Sequence, residues 1–348
     1  STLILFRRQR QMCIRDRLCA IMITASARAD WIEESNRHAL RVLEANAKFV
    51  PEQAAGYGLE GFDGEVVDLK PELHQRQQAS RAVQARELQK ALQNERDPKV
   101  RQDLEILLAT VEEQLETARI KHKYFLPYYN LHQFLFQSFN ALLDPRNDSA
   151  RYAAALQRLR RYAGLEQGYR PLTDLARAAS RERFAEKDLL GPYRGELEAD
   201  LGNLPQYLAA LPQLFRRAGL EGWEADLEVL EKQLADYQNW LEQDMLPRAR
   251  KDNRLPPEVY ADNLKGYGVN LPPQQLIDRA LYSYQLIRGE MQALARKIAA
   301  QRDWKDGDLV PVIRALKKEQ VPEDQLLDLY RSRLDALEEI IRRERIVT

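Results

Sequence analysis

Leu227-Glu228-Val229-Leu230-Glu231-Lys232-Gln233-Leu234-Ala235-Asp236-Tyr237-Gln238-Asn239-Trp240-Leu241 is the stretch that decides the fold. Leu227, Leu230, Leu234, Tyr237 and Leu241 recur three and four apart, so an α-helix places all five on one face. Charged and amide residues fill the positions between them. That pattern predicts a long helix with one buried seam.

Working outward, the same spacing returns at Leu104, Leu108, Val111, Leu115, Ala118 and His122, and at Leu276, Ala280, Tyr284, Ile287, Met291, Leu294 and Ile298. It returns again at Leu327, Tyr330, Leu334, Leu337 and Ile341. Asp30 reads as an N-cap for a helix carrying Ile32, Ala39, Leu40, Leu43, Ala47 and Val50, with Pro51 as its stop. Prolines such as Pro127, Pro145, Pro171, Pro205, Pro212, Pro247 and Pro322 punctuate the helices, several at first-turn positions. The one glycine-rich stretch, Gly56 to Gly64, suits neither helix nor strand and reads as a loop. No segment alternates with period two long enough for a sheet, so the expected fold is all-α: a large multi-helix, mostly antiparallel bundle.

Composition agrees. Glycine and proline number only 15 and 16 in 348 residues, and Ala, Leu, Glu, Gln and Arg dominate. Lysine plus arginine equals aspartate plus glutamate, 53 against 53. No net field therefore draws the chain to nucleic acid or to an anionic bilayer. Both cysteines, Cys13 and Cys19, precede residue 20, which excludes disulfide and thiol chemistry from the rest. Leu18 to Ala27 is a short apolar run preceded by Arg15 and Arg17 and ending in Ala27-Arg28-Ala29. It reads as a signal peptide cleaved before Asp30, which makes the protein periplasmic or secreted, with no membrane anchor after cleavage. Residues 1–17 read as a non-native leader, because Gln11 to Arg17 resembles translated adapter sequence found in metagenomic assemblies. Residues 30–348 form the expected helical domain.

The search for chemistry finds no complete catalytic site. Of four histidines, His38, His74, His122 and His132, none stands in His-Glu-x-x-His. Glu34 and His38 share a helix face but read as a solvated pair. His122 continues a seam and reads as a core or rim histidine. No serine lies in Gly-x-Ser-x-Gly, and the glycine-rich loop lacks the Lys-Ser/Thr of a phosphate loop. Asp303, Asp306 and Asp308 lack calcium-loop spacing and read as a helix-connecting turn. No residue is assigned as catalytic, cofactor-binding or metal-ligating. An aromatic cluster, Tyr124-Phe125-Leu126-Pro127-Tyr128-Tyr129-Asn130 followed by His132, Phe134, Phe136 and Phe139, has two readings. It is a helix entering the core, or it is the wall of a peptide-binding cleft built by Tyr124, Tyr128, Tyr129 and His132.

One ordered set of short motifs goes beyond periodicity. Met245-Leu246-Pro247-Arg248-Ala249-Arg250, Arg254-Leu255-Pro256-Pro257-Glu258-Val259-Tyr260 and Leu264-Lys265-Gly266-Tyr267-Gly268-Val269 follow one another. Phe62-Asp63-Gly64-Glu65-Val66-Val67-Asp68-Leu69, Arg158-Leu159-Arg160-Arg161-Tyr162-Ala163-Gly164 and Gly191-Pro192 stand upstream of them, and Val312 to Lys318 downstream. Together they resemble the domain of unknown function 885 family. That resemblance implies an exported bacterial protein whose C-terminal half looks like a zinc metallopeptidase, with a helical N-terminal half that shapes access for a peptide substrate. It implies zinc in the full-length parent and, as a partner for this chain, the missing C-terminal half. This sequence stops at Thr348, before the expected catalytic half, so it is expected to be inactive alone. The alternative is a complete, non-enzymatic helical binding or scaffold protein.

Overall fold

A computed structural model describes residues 26–346. The expected leader and the apolar run up to residue 25 lie outside the described residues. Among these residues the chain is all-α, with thirteen α-helices and no strand, in two compact units that meet in sequence at Tyr267 and Gly268.

In the N-terminal unit, α1 (Ser26–Ala47), α2 (Pro51–Gly56), α3 (Leu73–Asn94) and α4 (Pro98–Tyr124) come first. Helices α3 and α4 form a hairpin, and its turn shows why the chain reverses there. Arg101 donates to the Leu92 and Glu95 carbonyls at 2.8 and 3.0 Å, satisfying the end of α3. Asp97 accepts from the Lys99 amide at 2.8 Å, and Pro98 opens α4 where no N–H is needed. Val100, Leu104 and Val111 of α4 bury against Val42 of α1 and Leu88 of α3.

The start of the chain differs from its sequence reading. Asp30 lies inside α1, which ends at Ala47 rather than Val50, and Pro51 begins α2 instead of only stopping a helix. The inner face of α1 is also rotated. Ser35, His38 and Val42 are buried, while Ile32 and Leu40 are exposed. Polar residues occupy that face because His38 Nε2 meets Glu34 Oε1 at 3.2 Å, so its ring is not left unpaired.

The larger core is built by α5 (Leu131–Leu142), α6 (Ala154–Tyr162), α7 (Leu172–Arg181), α8 (Arg194–Arg217) and α9 (Glu224–Trp240). The seam of α9 is dry: Leu230, Leu234 and Tyr237 are 0 % exposed. It packs against Leu135 and Phe139 of α5, Leu159 and Tyr162 of α6, and Leu197, Leu211 and Phe215 of α8. Each such side chain stabilises the fold by about 1.5–3 kcal/mol through area removed from water. Pro205 and Pro212 do not punctuate helices; both lie inside α8. The loss of their N–H bonds is offset by the burial of Leu204 and Leu211, the residues just before them.

At the end of α9, Leu241–Met245 widens into a π-helical turn, closed by Leu246 N–H to the Leu241 carbonyl, just before Pro247. The chain then runs extended through Arg250, whose amide donates to the Pro192 carbonyl at 3.0 Å and whose carbonyl accepts from Arg194 at 2.8 Å. On its other side, Leu190 exchanges backbone bonds with Tyr124 and Leu126. Gly191 sits between these clasps, where an added Cβ would lie 2.1 Å from the Arg248 carbonyl oxygen. Helix α10 (Pro257–Gly266) closes the unit.

The C-terminal unit contains α11 (Pro273–Gln301), α12 (Leu309–Leu316) and α13 (Glu323–Glu344). Its buried core is Ala295, Ala299 and Val312. Gln292 clamps the α11–α12 turn, donating to the Gly307 carbonyl at 2.8 Å and accepting from Leu309 N–H at 3.1 Å. Asp303, Asp306 and Asp308 lie in that turn, with Asp306 accepting from the Asp308 amide at 2.9 Å. The seams of α11 and α13 are not covered within this unit: Tyr284, Ile287, Leu294, Leu327, Tyr330, Leu334 and Leu337 are all exposed.

Two glycines give a paired test. Gly191→Ala is expected to lower the unfolding free energy by about 1–3 kcal/mol or more, because the clasp must open to admit a methyl group. Gly202→Ala, mid-helix in α8 with open space around it, is expected to raise it by about 0.5–1 kcal/mol. Urea denaturation of the two variants beside the parent chain reads both.

Candidate functional site

The glycine-rich loop has no ladder of its own, so its carbonyls need donors from elsewhere. Arginines supply them. Arg151, in a short 3₁₀ turn before α6, forks onto Asp63 at 2.8 and 2.7 Å and donates to the Ala55 carbonyl at 2.9 Å. Arg161 donates to the Gly64 carbonyl at 2.9 Å and pairs with Glu65 and Glu166. Arg158 reaches the Phe62 carbonyl at 3.4 Å. The helical period of α6 puts Arg158 inward with Leu159 and Tyr162, and it is 1 % exposed.

Beneath the loop runs a directed chain of hydrogen bonds. Arg158 Nη1 donates to Ser138 Oγ at 3.0 Å, Ser138 and Tyr162 hydroxyls meet at 2.9 Å, and Tyr162 donates to Glu52 Oε1 at 2.6 Å. The Val67 amide donates to the same oxygen at 2.8 Å. Because Tyr162 spends its only proton on Glu52, Ser138 is the donor between the two hydroxyls. Burial raises the Glu52 carboxyl above its ordinary range, against the lowering pull of Tyr162, the Val67 amide and Arg158. Burial likewise pushes the Tyr162 hydroxyl well up. Ser138 reaches Glu52 only through the Tyr162 hydroxyl, so no carboxylate or imidazole lies directly against its Oγ. Glu52, Ser138, Arg151 and Arg158 line a cleft of about 390 Å³ with Ala55, Ala141, Leu142, Arg146 and Asn147.

A second groove, of about 470 Å³, is lined by His74, Gln78, Glu112, Leu115, Glu116 and Arg119. His74 stacks on His122 with ring centroids 3.8 Å apart and planes 3° from parallel. Burial first, then the charges of His122, Arg183 and Arg81, push His74 down to about 4. His122 is lowered by burial and Arg183, with Glu186 opposing. Neutral rings can stack; two imidazolium ions would repel. Among the described residues no group of three His, Cys, Asp or Glu is placed to hold a metal ion.

The aromatic cluster is distributed through the fold. The Tyr124 hydroxyl donates to Glu258 at 2.7 Å, joining α4 to α10, and Tyr128 donates to Asp200 of α8 at 2.8 Å. The Tyr129 carbonyl accepts from Tyr237 at 2.9 Å, and Tyr129 itself packs on the main core. His132 is 1 % exposed and pushed down to about 4 by burial, with the Leu234 backbone opposing. None of the four lines either cleft described above. Glu52, Ser138 and Tyr162 were not singled out from the sequence. Their signal is a polar face on a helix that is otherwise core, visible in Arg158-Leu159-Arg160-Arg161-Tyr162 only once that face is known to be inward.

The two clusters set opposite pH dependences. Glu52 has a raised folded value, so its contribution is full below the unfolded value of 4.5 and is lost as pH rises through the folded one. His74 has a depressed folded value, so its contribution is full above 6.5 and is lost as pH falls toward about 4. Glu52→Gln is expected to raise the Tm relative to the parent at neutral pH and to lose that advantage in acid. His74→Gln is expected to flatten the decline in Tm between these two pH values. Thermal melts from pH 4 to 8 check both; parallel curves for parent and variants would contradict the assignments.

Comparison with known proteins follows from this geometry. No curated protein matches the chain. Among solved structures it is similar to a candidate lipoprotein of unknown function from Shewanella oneidensis, at 16 % identity and a TM-score of 0.61. The match covers 91 % of this chain and 58 % of that one, so this chain spans less than two thirds of that protein's length. At this identity the likeness is one of fold. The family model of bacterial proteins of unknown function, DUF885, matches residues 51–347, and the chain belongs to that family.

Proposed function

We propose that this chain is the helical N-terminal portion of an exported zinc-metallopeptidase-like hydrolase, which shapes access for a peptide substrate and is inactive alone. The observation that carries the reading is an apolar face that the C-terminal unit does not cover with its own side chains. Leu327, Tyr330, Leu334 and Leu337 are 59, 67, 58 and 55 % exposed, on a helix with no buried residue. Soluble proteins rarely leave more than a few hundred Å² of contiguous apolar surface in water. In this reading the cover comes from a catalytic portion of the same protein, corresponding to part of the Shewanella chain that has no counterpart here.

Zinc belongs to that portion. No residue grouping described above fits the ion, so no ligand is assigned in this chain and no step is derived through it. Export is supported by the Leu18 to Ala29 pattern and by the candidate-lipoprotein character of the Shewanella protein. No described helix is long and apolar enough to cross a membrane.

The test is the source reading frame and its product. An extended protein is expected to bind zinc stoichiometrically, to cleave peptides in a chelator-sensitive way, and to bind less apolar dye than residues 30–348 alone. A stop codon after Thr348, together with a monodisperse monomer that binds no dye, would overturn the proposal in favour of a complete helical binding or scaffold protein.

A further inference from the structure

We propose that the cleft between α2 and α5 is a binding site for a short-chain monocarboxylate, recognised at its floor by Arg158 and Glu52. The charges around the cleft cancel in pairs except at this point. Arg151 is matched by Asp63 and Arg146 by Asp144. Arg158 is 1 % exposed, and its hydrogen bonds go only to neutral oxygens, those of Ser138 and Phe62. Its Nε has no partner. A buried guanidinium normally faces a carboxylate, and here Glu52 acts on it only from a distance.

Glu52 is the other half of the site. Its Oε1 already accepts two hydrogen bonds, from Tyr162 and from the Val67 amide, whereas Oε2 is buried with no partner. The proton of a neutral Glu52 therefore belongs on Oε2. The cleft floor then offers two donors, Arg158 Nε–H and Glu52 Oε2–H, to one anionic ligand. A carboxylate accepts both, and a hydrogen bond between an acid and a carboxylate is of the short, strong kind. Burial of the Glu52 carboxyl supports this protonation. Beside the polar rim of Asp144, Arg146, Asn147 and Arg151, the side chains of Ala55, Ala141 and Leu142 give a short hydrocarbon tail an apolar contact that phosphate would not use. Both floor atoms are shut off from solvent, so binding requires the rim to yield. The 144–147 turn forms part of that rim, with an Arg146 side chain that is 90 % exposed.

Calorimetric titration of the full chain with sodium butyrate, with sodium phosphate as comparison, tests the site. One saturable butyrate site is expected, weakened by about tenfold or more in Arg158→Lys, as loss of a charge-assisted hydrogen bond requires. Arg158→Lys removes a core side chain and is to be read only if its melt is cooperative. Ala141→Glu, an exposed position on the cleft wall, places a like charge at the mouth without touching the floor and is expected to weaken butyrate similarly. Absence of saturable butyrate binding in the parent, binding unchanged in Ala141→Glu, or phosphate binding in place of butyrate would each overturn the proposal.

Discussion

The N-terminal unit depends on the complete removal of one helix face from water. Helix α9 presents Leu227, Leu230, Leu234 and Tyr237 to four surrounding helices, and none is more than 2 % exposed. The Tyr237 hydroxyl on that face donates to the Tyr129 carbonyl. The tyrosine thereby fixes the segment between α4 and α5, and with it the start of α5 that carries His132. Loss of packing along α9 would release the walls of both the aromatic segment and the polar chain beneath the loop, because α5 and α6 are shared between them.

Where the sequence is regular, the fold is legible from it. The α9 seam is buried residue for residue, and Leu104 and Val111 mark the inner face of α4 correctly. Spacing fails where a polar residue has a local partner. Ser35 and His38 take the inside of α1, and Ile32 and Leu40 stay out, because the Glu34–His38 pair lowers the cost of burying an imidazole. Spacing also cannot tell a covered stripe from an uncovered one: the seams of α11 and α13 are as regular as that of α9, yet apart from Ile298 their unit gives them little cover. Periodicity reports that a face wants burial, and says nothing of what buries it.

The polar cluster was less legible for a related reason. Glu52, Ser138, Arg158 and Tyr162 come from three separate helices, and no motif of catalytic spacing joins them. Several family-motif residues hold the fold together: Arg161 and Asp63 belong to a loop clamp, Gly191 and Arg248 to a backbone clasp, and Glu258 to a surface junction with Arg119, Lys123 and Tyr124. The aromatic segment behaves likewise: Tyr124 ties the end of α4 to α10, and Tyr128 and Tyr129 tie the connection after it to α8 and α9. Chemistry that is not written in consecutive residues becomes visible only when the helices are packed.

Pro205 and Pro212 sit seven residues apart, each directly after a buried leucine, and Pro205 itself is exposed. Seven residues are nearly two full turns, so both rings stand on almost the same side of α8. A proline tilts a helix away from its own side. Two tilts in one direction add, where two on opposite sides would cancel into a zigzag. Two such prolines on one side favour a helix bowed like the stave of a cask, with the prolines on the outer curve and Leu197, Leu204 and Leu211 on the inner one. Each ring also removes the N–H that would have closed the turn onto the carbonyl four residues earlier, that of Leu201 or Leu208, so the backbone is softest at the two places where the curve is made.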